Sequence, residues 1–214
     1  GIKVHIGQRK ENIYKASVIV VSSAIKDSNR ELIAARAARL PIVRRADMLA
    51  ELMRFRKSVA VGGTHGKTTT TSLISNIFSV SKLDPTIING GILNSFGNSA
   101  KLGKSNWCIL ESDESDGSFL KIPQTYSIVT NVDEEHMDYY HSLNNLKNKF
   151  IEFVEKTPSF GKNFICLDDK INKEIIKKIK IKNFHTYGTD KNSQFNIKNI
   201  FQSKEFSKFD INIK

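Results

Sequence analysis

Short apolar runs alternate with amphipathic stretches along most of this chain, and the alternation predicts strands and helices in turn. "SVIVV", residues 17–21, is a β-branched run that ends at "SSA" and reads as a buried strand. "NRELIAARAARL", 29–40, has a helical pattern that Pro41 stops. "IVRR" follows as a short extended piece, and "ADMLAELMRF", 46–55, is helical again. A second series opens with a strand at "SVAVGG", 58–63. The helix behind it carries Leu73, Ile74, Ile77 and Phe78 on one stripe. "PTIING" is extended, "NWCILESDES" is a strand that ends abruptly in acid, and "YSIVTNVDEEH" repeats that design. "LNNLKNKFIEFVEKT" is an amphipathic helix with Leu143, Leu146, Phe150, Phe153 and Val154 inward. "NFICLDD" is another strand running into carboxylates, and the tail "FNIKNIFQSKEFSKFDINIK" reads as two short strands. This order implies an α/β fold with a mainly parallel sheet and helices on both faces.

The polar ends of three strands carry the candidate chemistry. Ligands of parallel α/β sheets bind beyond the carboxyl ends of the strands. One strand runs into Gly62-Gly63-Thr64-His65-Gly66-Lys67-Thr68, one into Glu111-Ser112-Asp113-Glu114, and one into Thr130-Asn131-Val132-Asp133. The first cluster reads as a phosphate-binding loop. Glycines let backbone N–H groups approach phosphates, and the helix that follows brings its positive end to the same point. Lys67 would reach the β- and γ-phosphates and the Thr68 hydroxyl would ligate Mg²⁺. The strict G-x-x-x-x-G-K-T pattern fails because Val61 stands where its first glycine belongs. What remains is G-x-x-G-K-T between a strand and a helix. Glu111, at a strand end, would complete the shell of a hard cation, or it is surface acid in a loop or cap. His136 follows a strand end and has carboxylates at 133, 134, 135 and 138. By spacing alone it is a metal ligand, a phosphate contact or a structural histidine.

Composition narrows the field. The chain has 214 residues and a net charge of +11. The charge raises a nucleic-acid reading. Much of the lysine, however, lies in "DKINKEIIKKIKIKN", 169–183, where Ile171, Ile175, Ile176 and Ile179 form the inner side of a solvated helix. No basic patch interleaved with aromatics supports base stacking, so no nucleic-acid partner is expected. No apolar run approaches the roughly 18 residues that span a bilayer. "GIKVHIGQRK" shows no secretory signal, lacks an initiator Met and reads as mid-domain, so a fragment is expected. Cys108 and Cys166 sit in apolar runs without C-x-x-C spacing. They read as buried thiols of a reducing cytoplasm, with no disulfide and no zinc.

"GGTHGKTTTT", "ESDESDGSFL" and "TNVDEEHMDYY", in this order and spacing, resemble the Mur ligases of bacterial cell-wall synthesis. The upstream "VVSSAIKDSNRELIAARAARLPIVRRADMLAELMR" is similar to the end of the family's UDP-binding domain. The resemblance implies that 1–55 is the C-terminal part of a Rossmann-like UDP-binding domain. It makes 56–214 a truncated, P-loop ATPase-type central domain, with the C-terminal domain absent. It further implies ATP and Mg²⁺ as cofactors, with UDP-N-acetylmuramate and L-alanine as partners in the branch these motifs most resemble. The muropeptide-recycling branch and a P-loop phosphotransferase are the alternatives. In that frame the segment Gly63, Thr64, His65, Gly66, Lys67, Thr68 and Thr69 cradles the phosphates, and Lys67 stabilises the γ-phosphate. Thr68, Glu111 and His136 ligate Mg²⁺, Asn131 lies near the nucleotide, and Ser22 and Ser23 are candidates for the UDP side. The resemblance also implies that this polypeptide does not complete the reaction alone.

Overall fold

"SVAVGG", read as a strand, becomes the axis of the larger of two sheets, whereas "SVIVV", expected to be a buried strand, is only half-buried around an exposed Val20. The computed structural model describes residues 2–22, 24–93 and 97–214, with 92 and 93 described by their backbone. The chain divides into two units, 1–52 and 53–214.

In the first unit, β1 (Ile19–Val21), α1 (Arg30–Ala37) and β2 (Ile42–Arg44) form a βαβ turn, followed by α2 (Arg45–Met53). The two strands pair in parallel with Ile19 opposite Ile42. Asn29 starts α1 by accepting from the Glu31 and Leu32 N–H groups through its side chain. The helix ends at Ala37, short of the expected Leu40. Arg39 turns into the left-handed region at φ 55°, and Leu40 N–H returns to Ala35 O. That wrap satisfies carbonyls at the helix end before Pro41 is reached.

The second unit runs β3 (Lys57–Gly62), α3 (Lys67–Val80), β4 (Thr86–Leu93), β5 (Asn98–Lys101), β6 (Trp107–Glu111), β7 (Tyr126–Val129), α4 (Met137–Tyr140), α5 (Leu143–Glu155), β8 (Lys162–Cys166), α6 (Lys170–Lys178), β9 (Phe184–Gly188), β10 (Phe195–Gln202) and β11 (Ser207–Ile213). Its nine-stranded sheet has the order β11-β10-β9-β8-β7-β3-β6-β4-β5. The strands from β10 to β4 run parallel. The outermost, β5 and β11, run antiparallel to their neighbours. From β3 the chain travels outward to β4, returns to place β6 beside β3, and then sets β7 on the other side of β3. Such a reversal opens a crevice at the carboxyl ends of the strands.

Burial on both faces explains why β3 reads as a continuous apolar run: Ser58 to Gly62 are all buried. On α5, Leu146, Phe150, Phe153 and Val154 are buried, as the pattern predicts. The Phe153 ring stacks on Phe119 with centroids 5.1 Å apart. It also lies where a Cβ on Gly62 would meet its Cε1 at 3.1 Å. The stripe expected on α3 is different. Its buried residues are Thr71 and Ser75, with Ile74 and Phe78 half-buried, whereas Leu73 and Ile77 are more than 60% exposed. Small side chains turned inward let the helix backbone come close to its neighbours. Helix α6 ends at Lys178, and Ile175 is its one fully buried isoleucine. Cys108 is buried, and burial pushes its thiol up to about 12. Cys166, expected to be buried, is only half so.

Phe153→Ala should therefore cost about 3–5 kcal/mol in urea unfolding, from lost burial plus an unfilled cavity. Leu73→Ala should stay within about 0.5 kcal/mol. Equal losses at the two positions would contradict this assignment of the core.

Candidate functional site

The parallel register brings the three polar strand ends side by side. Val61 lies opposite Glu111 on one flank, and Gly62 lies opposite Val129 on the other. Main-chain hydrogen bonds continue past the strands, from Ser112 N–H to Val61 O, Thr130 N–H to Gly62 O, and Thr64 N–H to Asn131 O.

The loop between β3 and α3 is shaped by glycine. Gly63 has φ +130°, and a Cβ there would stand 2.0 Å from Thr130 Oγ1. Gly66 has φ +78° with open space around it, and it caps α3 without a side chain. It therefore offers nothing to accept from the first-turn N–H groups, the groups that bind anions at a helix N-terminus.

The β7 segment holds this loop from outside. Asn131 Oδ1 accepts from His65 N–H at 2.8 Å, and Asn131 Nδ2 donates to His65 O at 3.0 Å. Thr130 Oγ1 donates to the same carbonyl at 2.7 Å. Thr64 Oγ1 accepts from Asp133 N–H at 2.9 Å. His65 Nε2 lies 3.4 Å from Asp133 Oδ2. The Asp133 carboxyl is held below its ordinary range by the Glu134 N–H and then by His65. Both polar atoms of the Asn131 side chain are thus spent on the loop, which makes Asn131 a clamp on the cradle.

Lys67, the first residue of α3, points back across the loop. Its Nζ donates to Gly63 O at 2.7 Å, to Thr64 O at 3.1 Å and to Glu114 Oε1 at 3.0 Å. Glu114 Oε2 is closer, at 2.8 Å, as an ion-pair contact. The Glu114 side chain is 1% exposed. Burial pushes its carboxyl above the usual range, although Lys67 pulls the other way. Glu114 belongs to the acidic cluster read from the sequence, where only Glu111 was given a task. Nothing in "ESDES" says which carboxylate turns inward.

Glu111 meets the next residue of α3, Thr68. Its Oε2 accepts from Thr68 Oγ1 at 3.0 Å and from Gly90 N–H at 2.8 Å. A Cβ on Gly90 would meet that carboxylate at 2.9 Å. Gly90, on β4, is a site residue that the pattern did not reveal, because "PTIING" reads only as extended. His136 is brought to Glu114 rather than Glu111: its Nε2 lies 3.7 Å from Glu114 Oε1, with His136 itself in the left-handed region at φ 56°. Thr69 is exposed on the first turn of α3. Ser22 directly follows β1, and its Oγ lies 3.4 Å from Ala24 N. Ser23 lies outside the described residues. An open cleft of about 480 Å³ nearby is lined by Gln8, Ala24, Ile25, Lys26, Ser28, Asn29 and Arg30.

Mg²⁺ takes oxygen ligands and commonly keeps waters and substrate phosphates beside one or two carboxylates. Thr68 Oγ1 and Glu111 Oε2, 3.0 Å apart, are oxygen donors already presented together. That pair fits such an ion. Among the described residues no group of three His, Cys, Asp or Glu side chains is gathered for a metal. No helix among the described residues is long and apolar enough to cross a membrane.

A glycine-shaped loop at a sheet's switch point, walled by acidic strand ends, defines an α/β domain with a crevice at the carboxyl ends of its strands. Residues 61–214 match the Mur ligase middle domain, and residues 1–57 match the Mur ligase family, catalytic domain. The chain belongs to the Mur ligase family. It is 60% identical over 212 residues to a UDP-N-acetylmuramate–L-alanine ligase of Pelagibacter ubique, covering 99% of this chain and 46% of that protein. Identity is 50% to the ligase of that name from Parvibaculum lavamentivorans, covering 100% of this chain and 43% of that protein. The chain thus spans less than half the length of these curated relatives. Two solved structures share its fold. A UDP-N-acetylmuramate-alanine ligase of Thermotoga maritima superposes with a TM-score of 0.81 at 24% identity, over 97% of this chain and 46% of that one. A UDP-N-acetylmuramate:L-alanyl-gamma-D-glutamyl-meso-diaminopimelate ligase of Neisseria meningitides gives 0.81 at 21%, over 98% and 69%.

The two loop glycines should respond differently to substitution. Gly63→Ala places a Cβ onto Thr130 and should cost more than about 3 kcal/mol or prevent folding. Gly66→Ala meets only the left-handed backbone penalty, about 1–2 kcal/mol. Chemical denaturation of the two variants checks the order, and a milder Gly63→Ala would contradict the close approach.

Proposed function

We propose that this chain forms the nucleotide-phosphate site of an ATP-dependent ligase that joins L-alanine to the carboxylate of UDP-N-acetylmuramate. The observation that carries the reading is the glycine-shaped loop with Lys67 folded across its mouth, in a chain 60% identical to a relative of that name. In this reading 1–55 belongs to the UDP-binding part and 56–214 to the ATP-binding part. Ser22, at the end of β1, and Ser23 are placed on the UDP side.

A carboxylate is a poor electrophile, so the reaction needs a phosphoryl group on it as leaving group. The muramate carboxylate attacks the γ-phosphorus of ATP and ADP departs. The amine of L-alanine then attacks the resulting acyl phosphate, and inorganic phosphate leaves as the amide forms. Catalysis of such a transfer is positioning plus neutralised charge. The backbone from Gly63 to Thr69 would cradle the phosphates, with the Thr64 and His65 N–H groups held by Asn131 and the first-turn N–H groups of α3 facing the anion. Lys67 would trade a loop carbonyl for a phosphate oxygen, and Asn131 would keep the cradle's shape through His65. Thr68 and Glu111 would hold Mg²⁺, which supplies neutralising charge on the transferring group, and His136 would reach that ion only by leaving its place at Glu114. A cytoplasmic setting suits the free thiols Cys108 and Cys166.

The test places this chain in the frame of its Pelagibacter ubique relative, replacing the matching residues. Phosphate release from ATP should require both UDP-N-acetylmuramate and L-alanine. It should fall at least about 100-fold in Lys67→Ala, the scale set by removing a charge-stabilising group from a transfer site. Release that ignores UDP-N-acetylmuramate would overturn the ligase reading in favour of a simple phosphotransferase or NTPase.

A further inference from the structure

The side chain that this function leaves without a task is Glu114. Its main chain is pinned, since its carbonyl accepts from Gly117 N–H and from the Tyr140 hydroxyl on α4. Its carboxylate is buried and directed at Lys67. An ammonium has three N–H donors, and Lys67 places all of them on protein acceptors: Gly63 O, Thr64 O and Glu114. The two carbonyls belong to the loop itself, while Glu114 comes from the segment after β6. The His136 ring nitrogen also stands 3.7 Å from the carboxylate, and Asp113 is a further acid acting on it.

A buried carboxylate that loses its cation is strongly disfavoured. Any phosphate that takes hold of Lys67 therefore competes with Glu114 for the same donors, and like charge repels the two acids. We propose that Glu114 is a positioning residue that acts through Lys67. It draws the ammonium to the protein side of the loop and so sets how tightly Lys67 grips a polyphosphate. This rests on reading the loop as a polyphosphate site.

The probe is inorganic tripolyphosphate, titrated calorimetrically into this chain at low salt. Glu114→Gln keeps the shape and one acceptor but removes the charge. It should tighten binding about 3- to 10-fold, since a like charge a few ångströms from the anion is removed in a partly buried setting. Glu114→Met, neutral and of similar length, is the second variant should the first fail to fold, and it should show the same gain. In a Lys67→Met background, adding Glu114→Gln should change affinity less than about twofold, because the effect runs through Lys67. Wild-type binding that is absent or indifferent to Lys67→Met would defeat the phosphate-loop reading and this inference with it. Lys67-dependent wild-type binding, with neutral Glu114 variants that bind equally or more weakly, would overturn the inference alone. A gain that persists without Lys67 would do the same.

Discussion

Strand β3 lies between β6 and β7, and its last residues are tied to both by main-chain hydrogen bonds that run past the ends of the strands. The alignment of Val61 with Glu111 and of Gly62 with Val129 decides which side chains can meet. A slip of one residue on either flank would turn Glu111 or Thr130 to the opposite face of the sheet. With the register as it is, one flank supplies carboxylates and the other supplies hydrogen-bonding groups. The loop between them receives both. Gly63 is part of the same constraint, because the β7 segment can approach only where a Cβ is missing.

The two flanks do different work. The β7 side is mechanical: Thr130 and Asn131 grip the His65 peptide, and Asp133 N–H is held by Thr64. This fixes a backbone that would otherwise have no reason to keep two glycines at positive φ. The β6 side is electrostatic. Glu111 meets Thr68 in a setting open to solvent, and Glu114 meets Lys67 in one that is nearly closed. Two carboxylates, three residues apart, therefore face a basic loop at very different effective dielectric. A charge is worth more where water is excluded. The half-buried acid accepts from Thr68 and Gly90, whereas the buried one is committed to its lysine.

Much of this was legible in the chain's pattern. "SVAVGGTHGKTTTT" announces strand, glycine turn and helix, and the structure has them in that order at β3, the loop and α3. Strand ends that break into acid or amide predicted the three clusters, and the strand order places them together. What the pattern hid has physical causes. The stripe on α3 misled because this helix turns Thr71 and Ser75 inward, and small polar residues carry no hydrophobic signal. The end of α1 depends on Arg39 adopting a left-handed backbone that favours glycine, which no propensity predicts. Strands β5 and β9 are short and half-polar. Glu114 was visible as part of an acidic cluster, but its pairing with Lys67 was not, because burial of a carboxylate is a tertiary event. Gly90 was invisible because its role is to be small beside Glu111.

In the proposed function the loop is a seat for polyphosphate, organised by Lys67 from one side and by Thr68 with Glu111 from the other. A crystal structure of this chain with Mg²⁺ and a non-hydrolysable ATP analogue tests that most directly. The phosphates are expected over the first turn of α3, with Lys67 Nζ moved from a loop carbonyl onto the terminal phosphate and the cation between Thr68 and Glu111. Nucleotide bound elsewhere, or bound with Lys67 still holding Gly63, Thr64 and Glu114, would contradict it.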